Sequence, residues 1–156
     1  MKRMLTCLLI GALLCLCMGC GGASSAYDDE EQMAEQSNAY NLTEVQQAID
    51  SGFYAANVTF EGMDTLWGYD APADAQIQIT HQLLVKAGRA KLVLVTPDGA
   101  CTTIAENADQ SDSVALRTTA ANVQAGHNRI RLVAEGDAQI ELQLQIDCGS
   151  FVPLGM

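Results

Sequence analysis

Six cysteines, two histidines and a spread of aspartates are the residues whose types could do chemistry in this 156-residue chain. Cys7, Cys15, Cys17 and Cys20 crowd the first twenty positions, and Cys101 and Cys148 stand apart from them. Thiolates that hold zinc come in closed sets of four with partners such as His. The first four cysteines sit in an apolar run with no histidine near, so they do not read as a zinc site. Cys101 and Cys148 remain as an even pair, which in an exported domain predicts a disulfide worth roughly 2–4 kcal/mol. The alternative is two small buried hydrophobes that never meet. Asp64, Asp70 and Asp74 offer the oxygens that calcium takes, but their spacing matches no defined calcium loop, and solvated surface positions are expected. No cofactor or metal is expected. His81 lies among Ile77, Ile79, Leu83 and Val85, which predicts a packed histidine with one hydrogen bond. His127, in Gly126-His127-Asn128, predicts an exposed turn. Neither has the acid and nucleophile neighbours of a catalytic triad. Trp67 and Tyr69, two apart, share a face of an extended segment and so have the geometry to stack on a sugar ring. That face also carries Met63, Thr65 and Ala71, so Trp67 is expected in the core and Tyr69 in a more open position.

The cysteine-rich start has its own layout. Met1-Lys2-Arg3 is positive, Met4 to Met18 is apolar apart from Thr6, and Gly19 to Ser25 is small and flexible. That order is the layout of a secretory signal peptide, and the apolar stretch is shorter than the ~20 residues of a membrane-spanning helix. Around Gly19-Cys20 the segment resembles the lipobox of bacterial lipoproteins, in which a small residue precedes a cysteine that is lipid-modified and becomes the mature N-terminus. Cys17 stands where such segments usually carry an aliphatic residue. The resemblance implies a signal peptide over residues 1–19, lipid attachment at Cys20, and a place on the extracytoplasmic face of a cell membrane.

Those chemical residues need elements to position them. Without its first nineteen residues the chain has six Lys and Arg against nineteen Asp and Glu, a formal charge of −13. Nucleic-acid partners are excluded, because binding them rests on basic residues that neutralise phosphates. Residues 20–50 hold seven acidic residues and no basic one. They are read as an acidic flexible tether, disordered to about Asn41 because so polar a segment cannot offset its ordering entropy. Its reach would be roughly 25 Å. Asn41 to Asp50 has the makings of a short helix, with Thr43 as cap and Leu42, Val45 and Ile49 on one side.

From residue 51 to 156 the hydrophobic period is two. Ala75, Ile77, Ile79, His81, Leu83 and Val85 alternate with polar residues, as do Ala138, Ile140, Leu142, Leu144 and Ile146, the pattern of antiparallel strands with one wet face. Lys91 to Thr96 is apolar on both faces and reads as a more central strand, closed by the turn Pro97-Asp98-Gly99. Shorter strands are expected over 53–61, 64–70, 101–106, 113–119 and 128–134. About eight strands predict an all-β antiparallel β-sandwich, jelly-roll-like. The stretch from Val123 to Gln145 resembles the closing hairpin of jelly-roll carbohydrate-binding modules. A three-residue loop, Glu135-Gly136-Asp137, would pair Leu132 with Ile140 and set Arg131 opposite Glu141 on the wet face.

These observations predict a non-catalytic, lipid-anchored cell-envelope protein whose β-sandwich binds a glycan or an envelope protein. The alternative is a carbohydrate-binding module displayed on the cell surface. An enzyme or inhibitor with a site assembled from loops is the third class.

Overall fold

The computed structural model describes residues 26–108 and 113–156. The expected signal peptide and Cys20 lie outside the described residues.

The chain is all-β and antiparallel. Strands β1 (Ala39–Asp50), β2 (Phe53–Ala71), β3 (Ala75–Val95), β4 (Cys101–Asn107), β5 (Arg117–Val123), β6 (Gly126–Gln145) and β7 (Ser150–Phe151) form one hydrogen-bonded sheet. Its order is β1-β2-β6-β3-β4, with β5 also on β3 and β7 also on β2. Each of the eight segments that alternation marks lies on a strand, with the one expected at 113–119 displaced to β5. Three pairs of them are continuous: 53–61 with 64–70 in β2, 75–86 with 91–96 in β3, and 128–134 with 138–147 in β6.

Each of these long strands breaks step at a glycine, and the breaks line up across the sheet. The register between β2 and β6 shifts between Phe60 and Gly62, and that between β3 and β6 shifts on both sides of Ala87. Gly88 has φ +70°, and a Cβ there would lie 2.5 Å from the Glu135 carbonyl oxygen, so only glycine fits this crossing. Gly136 and Asp137, at φ +78° and +47°, form a bulge inside β6 rather than a turn. Strands that pass from one layer to another through bulges make the corners of folded sheets. Here the sheet folds along that line, and its two halves share one core. Val58, Ile79 and Leu142 come from one layer, and Leu66, Leu92 and Ile130 from the other.

The continuity of β6 corrects the expected closing hairpin. Leu132 pairs with Asp64 and Leu92, and Ile140 with Val58 and Val85; the two are not partners. Their shared burial was legible because both halves of β6 face one core, which a folded strand achieves as well as a hairpin does. Lys91 to Thr96 is indeed covered on both faces: Leu92 and Leu94 enter the sandwich, while Val93 and Val95 join Met63, Val133, Tyr27 and Met33 in a second cluster outside it.

That second cluster shortens the tether. Among the described residues the chain is folded from Ala26, with Tyr27 and Met33 each 1% exposed. The helix lies earlier than expected, as α1 (Glu30–Ala34), with Asp29 accepting from the Gln32 amide at its start. Asn41 to Asp50 is not helical but forms most of edge strand β1. Two features hide the strand in the sequence. Glu44, at φ +54°, puts a bulge between Thr43 and Gln46 that breaks the alternation. Gln47 then takes an inward position, its amide satisfied by the Tyr54 hydroxyl and by both the N–H and C=O of Leu154.

Candidate functional site

Cys101 and Cys148 are both free thiols, which corrects the expected bridge. Cys101 packs beside the outer cluster with Met33 and Val95, whereas Cys148 packs against the sandwich core. Neighbouring residues of β3 point alternately into these two clusters, so the thiols belong to opposite faces of one layer. A disulfide requires Cβ atoms about 4 Å apart, and the two thiols pack against different clusters.

The three aspartates are dispersed by the fold. Asp64 is 1% exposed and accepts from the Thr65 and Gly155 amides at 2.8 Å each, holding the C-terminal residues. The expectation of a solvated Asp64 therefore fails, because the returning C-terminus covers it and supplies one N–H donor, from Gly155, beside that of the adjacent Thr65. Burial pushes its carboxyl above the usual range, and those donors oppose the shift. Asp70 accepts from His127 at 2.9 Å, and Asp74 accepts from the Ala125 amide. Among the described residues no group of three His, Cys, Asp or Glu is placed to hold a metal. Trp67 is fully buried, its indole N–H donating to the Cys148 carbonyl at 2.9 Å, and Tyr69 beside it is half-buried.

The six cations among the described residues are used unevenly. Four lie under the strap formed by residues 27–38. Arg89 pairs with Asp28 and Glu135, and its guanidinium stands 3.9 Å from the Tyr27 ring, with the Lys91 ammonium 4.6 Å from the same ring. Arg129 donates to the Ala34 and Glu35 carbonyls. Arg131, with no exposure, donates to the carbonyls of Met33 (2.8 Å), Glu35 (2.7 Å) and Ser37 (2.6 Å) and to the Asn38 side chain. Those of Met33, Ala34 and Glu35 are carbonyls that the end of α1 leaves without partners. Burial, and then the neighbouring Arg129, lowers the Arg131 guanidinium to about 10, so it is still charged at neutral pH. Arg131 therefore does not face Glu141 on a wet surface. Glu141 pairs with Lys86 instead.

Arg117 is the exception. Among the described residues its side chain has no carboxylate, carbonyl or ring partner. It opens β5 directly opposite His81 of β3, at an edge where β4 of one layer and β5 of the other leave a cleft of about 510 Å³. Leu83, Ile104 and Val114 give the cleft apolar surface; Thr119, Glu106 and Asn107 give it polar surface. His81 is 6% exposed, and its Nε2 lies 3.0 Å from the Thr119 hydroxyl, the single hydrogen bond its apolar setting predicts. Desolvation, and then the Arg117 charge, lowers its proton affinity, so the imidazole is neutral at pH 7. The Glu106 carboxylate accepts from the Tyr27 hydroxyl at 2.7 Å. The cleft is thus mainly polar, combining a cation, a carboxylate, a neutral imidazole and a hydroxyl with a smaller apolar wall.

Sequence reasoning singled out His81 and missed Arg117 and Thr119. The signal was weak: an arginine in a Thr- and Ala-rich strand is unremarkable until its pairing with His81 is known. No protein-family profile matches the chain, and no curated protein matches it either.

Proposed function

We propose that this chain is a non-catalytic binding domain held on the outer face of a cell membrane by a lipid on Cys20, with its ligand in the edge cleft. The observation that carries the reading is the placement of Arg117, without a partner among the described residues, beside a neutral, buried His81 in a concave site of about 510 Å³. Such a site orients and holds a ligand. Among the described residues His81 has Thr119 as its partner and no carboxylate bonded to it to stabilise an imidazolium, so proton transfer is poorly supported there. The lipobox-like Gly19-Cys20 supports the location. Replacing Cys20 by Ala is expected to shift the protein from the detergent phase to the aqueous phase in phase separation; unchanged partitioning rejects the anchor.

The alternative reading, a carbohydrate-binding module, has one observation in its favour. The outer face of the β1-β2-β6-β3 layer carries a shallow hollow of about 410 Å³ lined by Gln46, Asn57, Gln82, Glu141 and Gln143. Side-chain amides donate and accept at once, which suits vicinal hydroxyls. With Trp67 buried, that hollow has no indole to stack on a sugar. A glycan-array screen separates the readings: glycan binding abolished by Gln143→Ala and untouched by Arg117→Gln moves the site to the hollow.

A further inference from the structure

We propose that the edge cleft takes a small monocarboxylate with an apolar body, its carboxylate on Arg117 and its hydrocarbon part against Leu83, Ile104 and Val114. The proposal rests on the reading of this cleft as the ligand site and names the ligand's chemistry. Nineteen acidic residues stand against eight basic ones in this chain, and none of those among the described residues pairs with Arg117. Every other cation among the described residues has a partner: Lys86 takes Glu141, Arg89 takes Asp28 and Glu135, Lys91 lies over Tyr27, and Arg129 and Arg131 hold the strap. A planar guanidinium matches a carboxylate through two parallel N–H···O bonds. Arg117 is exposed, so that match is screened as surface pairs are, and the apolar wall must carry part of the affinity.

The remaining groups narrow the class. His81, neutral and bonded to the Thr119 hydroxyl, adds polarity without a second positive charge. Glu106 lines the same cleft and is bonded to Tyr27 rather than to Arg117. A ligand with two negative groups would bring one of them towards Glu106, so a single carboxylate is favoured. The carboxylate therefore sits at the β5 side, and the apolar body runs towards β4.

The experiment titrates the full chain, in a non-ionic detergent, with hexanoate, hexylammonium and hexan-1-ol, using ligand-observed saturation-transfer NMR. Hexanoate is expected to bind at least tenfold more tightly than the other two. Arg117→Gln should weaken it tenfold or more, Arg117→Lys should fall between Arg117→Gln and the wild type because it keeps the charge and loses the bidentate match, and Glu106→Gln should tighten it several-fold. The exposed position of Arg117 leaves the fold intact, which an unchanged thermal transition verifies. Equal binding of hexan-1-ol, or hexanoate binding indifferent to Arg117→Gln, overturns the carboxylate while leaving a cleft that binds. Preference for hexylammonium overturns it in favour of Glu106. No signal from any of the three overturns both this inference and the reading of the cleft as a ligand site.

Discussion

At residue scale the instructive pair is Arg131 and His81, two polar groups buried in opposite ways. Arg131 is kept charged by carbonyls of the strap, so truncating it leaves those carbonyls without donors in a dry place. Arg131→Ala should cost about 3 kcal/mol, as removal of one buried charged partner does. Urea unfolding measures the loss, and cleavage by a glutamate-specific protease after Glu31 or Glu35 should accelerate if the strap comes away. His81 is kept neutral instead. Its folded-state proton affinity lies below the ordinary value of 6.5, so as pH falls through that value the unfolded chain takes up a proton that the folded chain refuses. Stability from this group is complete above pH 6.5 and declines below it. The urea midpoint should therefore fall more between pH 7.5 and 5 in the wild type than in His81→Gln. An identical fall in both would mean that the imidazole is not shielded.

At the scale of elements, the aligned glycine breaks decide whether the sheet is flat or folded. Gly88→Ala forces a side chain into φ +70° against the Glu135 carbonyl. The backbone strain alone costs about 1–3 kcal/mol. A larger effect than that of Gly99→Ala, also at positive φ but with its nearest neighbour 3.7 Å away, is expected in thermal melts. The Asp98 turn gives an independent probe. Thr96, Gln124 and Ala100 donate to its carboxylate and hold it down to about 2, below the model-peptide 3.8. The turn is fully braced above pH 4 and loosens as pH falls from there towards 2, which amide exchange at Gly99 and Ala100 should report. These elements also show where the sequence is readable. Alternation reveals which side chains are buried, because a period of two survives folding of the strand. It does not distinguish a hairpin from a bulge at Glu135-Gly136-Asp137, since both put Ile130, Leu132, Ile140 and Leu142 on one core. It fails at β1, where a bulge at Glu44 and a satisfied inward Gln47 conceal the strand. The Arg117 cleft was illegible for the same reason: which residue of β5 meets His81 depends on a register that the sequence does not state.

At the scale of the whole molecule, the strap changes what an anchor at Cys20 would do. Only residues 21–25 separate that cysteine from Ala26, the first described residue. At ~3.5 Å per residue even a fully extended link of six steps spans about 20 Å. A domain of this size is itself roughly 35 Å across. The link is thus shorter than the body it holds, and a protein so attached lives in a thin layer against the bilayer, searching by lateral diffusion rather than sweeping a volume above it. Whatever occupies the Arg117 cleft would be met in that layer. Solutes released from the membrane, or carried by other proteins in it, would encounter the cleft before anything arriving from the bulk medium.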